Sequence, residues 1–168
     1  MTARSRSTAG FRSGILGLVA RTHDLAQLNI GRIVVPLDSP QMHGFVSRLD
    51  EINALAERSP GFAWRLIGEG NDATSLRPFP DDFMLVNMST WHSLEELRDF
   101  VYRSAHRQLL GERQKWFEAM REAFTVLWWV PAGHEPTVDE AKERLTMLRE
   151  QGPTPAAFTF KDAFPAPQ

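Results

Sequence analysis

The chain has no cysteine, and that absence removes disulfides, thiolate metal ligands and cysteine nucleophiles together. It also fits a reducing compartment, so a cytoplasmic location is expected. Tyrosine is almost missing: Tyr102 is the single one. The five histidines, His23, His43, His92, His106 and His134, fall into no HExxH or HxH spacing, so no metal site is expected. No GxSxG marks a serine hydrolase, and "GEGNDATS" lacks the Lys-Ser/Thr pair of a phosphate loop. No apolar run approaches the length of a membrane span. A basic excess is absent too. The formal charge is −2, and in the first 24 residues Arg4, Arg6, Arg12 and Arg21 face Asp24 alone, so the body is mildly acidic and lacks the footprint of a nucleic-acid binder.

What remains is enough for one core, since 168 residues with 42% hydrophobic content make about one domain. Residues 1–24, "MTARSRSTAGFRSGILGLVARTHD", are rich in Arg and Ser around a short, glycine-broken apolar patch. That composition suits a disordered extension and is shared by transit and weak secretory peptides. The domain is expected over 25–165.

Alternation and β-branching predict strands at 25–34, 62–70, 83–91 and 123–131. Apolar residues at helical spacing predict a helix over 41–58, stopped by "SPG". Ser93 with Glu96 forms a capping box that opens a second helical region, bent near Gly111 into about 94–104 and 105–121. Thr137 with Glu140 caps a further helix to about Glu150, followed by a proline-punctuated tail. The order β-α-β-β-α-β, with an extra C-terminal helix and an extended tail, predicts an α+β, ferredoxin-like domain around an antiparallel four-stranded sheet. Strands three and four carry apolar residues on both faces, Met84, Val86 and Met88 opposite Phe83, Leu85 and Trp91 in the former. A sheet that is oily on both sides needs a second layer, and another copy of the sheet is the expected supplier: a homodimer packed sheet to sheet, with the tail reaching across.

The residues "LAQLNIGR", "SPGFAWRL", "LVNMSTWHSLEELRDFVYRSAH", "KWFEAM", "LWWVPAGHEPT" and "LREQGPTPAAFTF" resemble a bacterial domain-of-unknown-function family of the dimeric α/β-barrel superfamily, over roughly 25–165. That superfamily also holds antibiotic-biosynthesis monooxygenases, haem-degrading monooxygenases and small stress-response proteins. The resemblance implies a dimeric barrel but no particular reaction. Cofactor-free monooxygenases of the superfamily place an Asn and, four residues on, a Trp on the third strand, with a Tyr and an Arg nearby. Asn87 and Trp91 have that separation, while Tyr102 with Arg107 or Arg113 supplies the other types at different spacings. The haem-degrading branch uses an Asn, a Trp and a helical His. Asn29, Trp91 and His106 occur in that order, with a longer gap before the His.

Tyr102, His106, Leu109, Arg113, Trp116 and Met120 follow one another at steps of four and three and would share one helical face. Facing them, strand alternation groups Gln27 with Asn29 and Asn87 with Ser89. Two readings follow. In the functional one these residues line a pocket for a small aromatic phenol or quinol. Asn87, Trp91, His106 and Tyr102 form its catalytic group, Asn29, Arg65, Arg113, Trp116 and Trp129 its binding group, and no cofactor is needed. The first alternative is haem held by His106; the second is a non-catalytic dimeric stress or interaction module. In the structural reading the same His, Tyr and Trp side chains are satisfied core groups, and Arg113 snorkels or pairs with a carboxylate such as Glu118 or Glu122.

Overall fold

A computed structural model describes residues 20–104 and 106–168, apart from the side chains of His106 and Leu109. The expected N-terminal extension lies outside the described residues as far as residue 19. Its last two residues belong to the domain, because the first strand, β1, spans His23–Arg32 and buries Asp24. Asp24 pairs with Arg21 at 2.6 Å and accepts from the Gly133 amide at 2.8 Å.

A short 3-10 turn (Pro40–Met42) leads into a single helical turn, α1 (His43–Val46), and then α2 (Leu49–Arg58). The single helix expected over 41–58 is therefore broken at Ser47-Arg48. β2 is only Phe62–Arg65, shorter than the expected strand, because the chain leaves the sheet after Leu66, whose amide still donates to the Met88 carbonyl at 2.8 Å, for a loop that runs to β3 (Met84–Trp91). α3 (Leu94–Arg103) starts as expected, with Ser93 Oγ accepting from the Glu96 amide at 3.2 Å. α4 (His106–Glu112) follows, then a 3-10 turn (Arg113–Lys115), β4 (Thr125–Pro131) and α5 (Val138–Gln151). Thr137 caps α5 by accepting from the Glu140 amide at 3.1 Å, the geometry its spacing predicts.

The sheet is four-stranded and antiparallel, in the order β2-β3-β1-β4. The protein is thus α+β, an open sheet with helices on it. Alternation gives the sheet two faces. Ala26, Leu28, Ile30, Val86, Met88, Val126, Trp128 and Val130 point to one of them, and all are buried. Their cover comes from the chain itself. Ala141, Leu145 and Leu148 of α5 pack on them, joined by Leu66, Ala73, Leu76 and Phe79 of the loop before β3. The Trp128 indole donates to Glu140 Oε1 at 2.9 Å, which pins α5 to the sheet. A second copy was expected to keep this surface dry; the appended helix does so instead, and the sheet-to-sheet dimer loses the observation that motivated it.

The tail, expected to reach across to a second copy, packs on the sheet of its own chain. Leu127 and Phe158 exchange backbone hydrogen bonds at 2.9 and 2.8 Å, so the tail lies along the free edge of β4 and covers it. From there Phe158 turns to the second face and is fully buried with Leu25, Trp91, Leu97 and Leu127. The Trp129 indole donates to the Phe164 carbonyl at 2.8 Å, and Arg98 to the Phe160 carbonyl at 3.1 Å. No helix of the described residues is long and apolar enough to cross a membrane.

Candidate functional site

The second face of the sheet, beneath α1 to α4, is organised in rows by the strand register. Phe62, Trp91, Leu25 and Trp129 form an apolar row. Next come Arg65, Ser89, Gln27 and Leu127, then Asn87, Asn29 and Thr125, and finally Leu85 with Gly31. Two polar rows therefore cross the middle of a surface whose ends are apolar. At one end Trp91 stacks on Phe100 with ring centroids 5.0 Å apart and meets Phe62 edge-on at 5.4 Å. At the other, Trp116, Met42, Ile33 and Leu85 form a separate buried cluster. A sheet face turned toward helices is ordinarily apolar, so polar rows at its centre call for an explanation.

The rows are tied together by side-chain hydrogen bonds. Gln27 Nε2 donates to Asn87 Oδ1 at 2.8 Å and to Ser89 Oγ at 3.1 Å. The Trp91 indole also donates to Ser89 Oγ, at 2.9 Å. Asn29 Nδ2 donates to Thr125 Oγ1 at 2.7 Å. Gln27 and Ser89 are buried, Asn29 and Thr125 are half-buried, and Asn87 is exposed. The internal bonds use one end of each amide. Asn87 Nδ2, Asn29 Oδ1 and Gln27 Oε1 find no partner among the described residues. The rows thus present two acceptors and a two-hydrogen donor, held on a rigid sheet and open to solvent at Asn87.

Arg113 closes the far end of this floor. Its guanidinium donates to the Ile30 carbonyl at 3.3 Å and lies against the rings of Phe117 at 4.7 Å and Phe124 at 4.9 Å. It reaches this place because Gly31 has no side chain: a Cβ there would stand 2.7 Å from Phe117 Cδ1 and 3.0 Å from Arg113 Nη2. Gly31 follows Asn29 on the same face of β1, so the guanidinium sits roughly 7 Å from the Asn29 position along the strand. Burial pushes the guanidinium pKa down from its ordinary value. The carboxylate partner expected from Glu118 or Glu122 is absent: Glu118 pairs with Arg32 and Glu122 with Arg149. At the rim, Arg48 joins the α1–α2 joint to Glu112 of α4 at 3.1 Å and lies over the Trp116 ring at 5.8 Å. The Arg48 hydrogen bond holds the Glu112 carboxyl below its ordinary value.

The expected site residues are only partly brought together. Asn29, Asn87 and Arg113 converge on the floor. Trp91 is fully buried and lies four residues, about 13 Å, along the strand from Asn87, so the pair does not flank one ligand. Tyr102 is 46% exposed and packs edge-on against Phe160 of the tail, 5.6 Å between centroids, rather than over the sheet. The six-residue stripe from Tyr102 to Met120 does not share one helix face, because the helix breaks at Ser104 and ends at Glu112. The His106 side chain lies outside the described residues. Trp116 is buried beneath Phe45 and Gly44, and Trp129 is held by the tail. Arg65 is a clamp: buried, it pairs with Glu57 of α2 at 2.8 Å and donates to the Asn71 carbonyl at 2.7 Å and Asn71 Oδ1 at 3.1 Å. Thr125 was not foreseen. Its signal lay in the pairing of β1 with β4, which puts a hydroxyl opposite Asn29.

A family model described as a domain of unknown function, DUF3291, matches residues 24–168. The chain belongs to the DUF3291 family. The matched stretch begins at the buried Asp24 and runs through α5 and the tail, so in this DUF3291 chain the cover of both sheet faces lies within the family's domain. Among solved structures, a protein of unknown function from Nitrosomonas europaea is similar at 9% identity and a TM-score of 0.43, over 70% of this chain and 96% of that one. No curated protein matches the sequence.

Proposed function

We propose that this DUF3291 domain binds a small polar organic molecule on the centre of the sheet face beneath α1 to α4. The observation that carries the reading is the pair of polar rows, whose amides satisfy one another at one end and leave Asn87 Nδ2, Asn29 Oδ1 and Gln27 Oε1 for something else. A fold has little use for such rows. Burying an amide such as that of Gln27 costs about 1–3 kcal/mol unless it is paired, whereas Val or Ile at Gln27 or Asn29 would pack against the apolar clusters on either side. Convergent polar groups between apolar walls are the ordinary chemistry of a small-molecule site. The order β2-β3-β1-β4 supports reading the scaffold as ferredoxin-like, but the barrel-closing second copy forms no part of the proposal, since α5 covers the other face.

Oxidation of a phenol without a cofactor is less well supported than binding. The two rings expected to flank such a substrate, Trp91 and Trp116, are both buried in the core, which leaves the amide half. The test is a ligand-observed saturation-transfer screen of small polar fragments against the chain and its Asn29→Ala/Asn87→Ala variant. Fragments that bind the parent and not the variant are expected. Equal binding to both would end the proposal.

A further inference from the structure

Resting on that reading, we infer that the ligand carries a carboxylate, received by the Arg113 guanidinium, while its remaining polar group meets Asn29 and Asn87. Three observations lead there. Arg113 has no carboxylate partner among the described residues, although its two acidic neighbours expected from sequence are both engaged by other arginines. Phe117 and Phe124 lie against the guanidinium, 4.7 and 4.9 Å from its central carbon, and an aromatic ring accepts no conventional hydrogen bond, so these contacts leave its N–H donors still to be paired. One of those donors goes to the Ile30 carbonyl at 3.3 Å. The others have no partner among the described residues. A planar fork of N–H donors suits a carboxylate in two-point contact better than any neutral group. Finally, Gly31, two residues along β1 from Asn29 on the same face and in the next row, makes room for the guanidinium.

The partial desolvation of Arg113, which pushes its pKa down, sharpens the point. A half-buried cation without a counter-charge is paired only weakly by a carbonyl, so an incoming anion gains more here than at an open surface. The amide rows are neutral, so they favour a ligand whose distal end is uncharged and hydrogen-bonding.

The experiment measures the affinities of sodium benzoate and 4-hydroxybenzoate, with benzamide and 4-hydroxybenzamide as neutral counterparts, by following the Trp91 indole resonance through its bond to Ser89. The proteins are the full chain, Arg113→Gln, Arg113→Lys and Asn29→Ala/Asn87→Ala. The inference expects the carboxylates to bind about tenfold or more tightly than the amides, an advantage lost in Arg113→Gln and partly kept in Arg113→Lys. A dispersed backbone-amide spectrum and a cooperative thermal transition in the free variants show that they keep the fold. Equal affinity for acid and amide, unchanged in Arg113→Gln but lost in Asn29→Ala/Asn87→Ala, overturns the carboxylate assignment and leaves the binding floor standing. No binding of any of the four to the parent chain overturns both.

Discussion

Shortening Leu145 to alanine tests whether α5 covers the sheet as described. Leu145 is 2% exposed and packs among Ala26, Leu28, Val126 and Trp128 in the largest cluster of the core. Removing the two methyls and the branching carbon from such a site forfeits their transfer free energy and leaves a cavity that neighbours on a rigid sheet fill poorly. The expected loss is about 3 kcal/mol, within the range for buried Leu→Ala changes. For a domain of this size that lowers the melting temperature by roughly 6–12 °C. Differential scanning calorimetry reads it directly, with the exposed Glu143→Ala on the same helix as a control that leaves the midpoint in place. A fall below about 2 °C for Leu145→Ala would refute the reasoning. It would mean that α5 does not rest on the sheet, and that the oily face is left for another partner.

Three further outcomes follow from the geometry. Gly31→Ala places a methyl against Phe117 and Arg113, and the resulting overpacking is expected to cost about 1–3 kcal/mol in urea denaturation; an unchanged midpoint would show that the guanidinium does not lie on β1. Gln27→Leu gives up two hydrogen bonds but gains apolar burial beside Leu127, so stability is expected to stay within about 1 kcal/mol while fragment binding is lost; a fall of more than about 2 kcal/mol would make the amide an element of the fold. Burial pushes the Glu140 carboxyl up, but the hydrogen bonds from His134 and Trp128 outweigh it, so its folded pKa lies below the ordinary 4.5. A depressed carboxyl stabilises the fold above the unfolded pKa and loses that contribution as pH falls through the folded value. Glu140→Gln is therefore expected to be less stable than the parent near neutral pH, with the gap narrowing below about 4.5; a gap independent of pH from 7 to 3 would contradict it.

Local signals in the sequence survived into the structure because they are local. Ser93 and Thr137 cap helices through bonds made within three residues, and no distant packing is needed to decide them. The four strands were visible for the same reason, and so was the placement of Gln27, Asn29, Asn87 and Ser89 on one face. What the spacing hid was tertiary. The boundary expected after residue 104 is where the helix breaks, but its expected cause, Gly111, sits inside α4, and no glycine or proline marks the break at Ser104. Trp116 has helical spacing to Tyr102, yet its burial against Phe45 and Arg48 draws the chain out of the helix after Glu112. The role of α5 was hidden by its narrow stripe of Ala141, Leu145 and Leu148, which in isolation reads as a surface helix; only its meeting with Trp128 and Met88 shows it to be the missing layer. Arg65 resembled a ligand group because its partners, Glu57 and Asn71, come from a helix and a loop whose positions the sequence does not state.

The claim on which the account turns is that the amides of the sheet centre serve a ligand. Its most direct test is a two-dimensional nitrogen-15 spectrum of the side-chain amides during titration with sodium benzoate. The account predicts that the NH2 signals of Asn87 and Asn29 shift together and saturably, with the Trp91 indole following through Ser89. Saturable shifts confined to residues elsewhere, with these three signals unmoved, would contradict it.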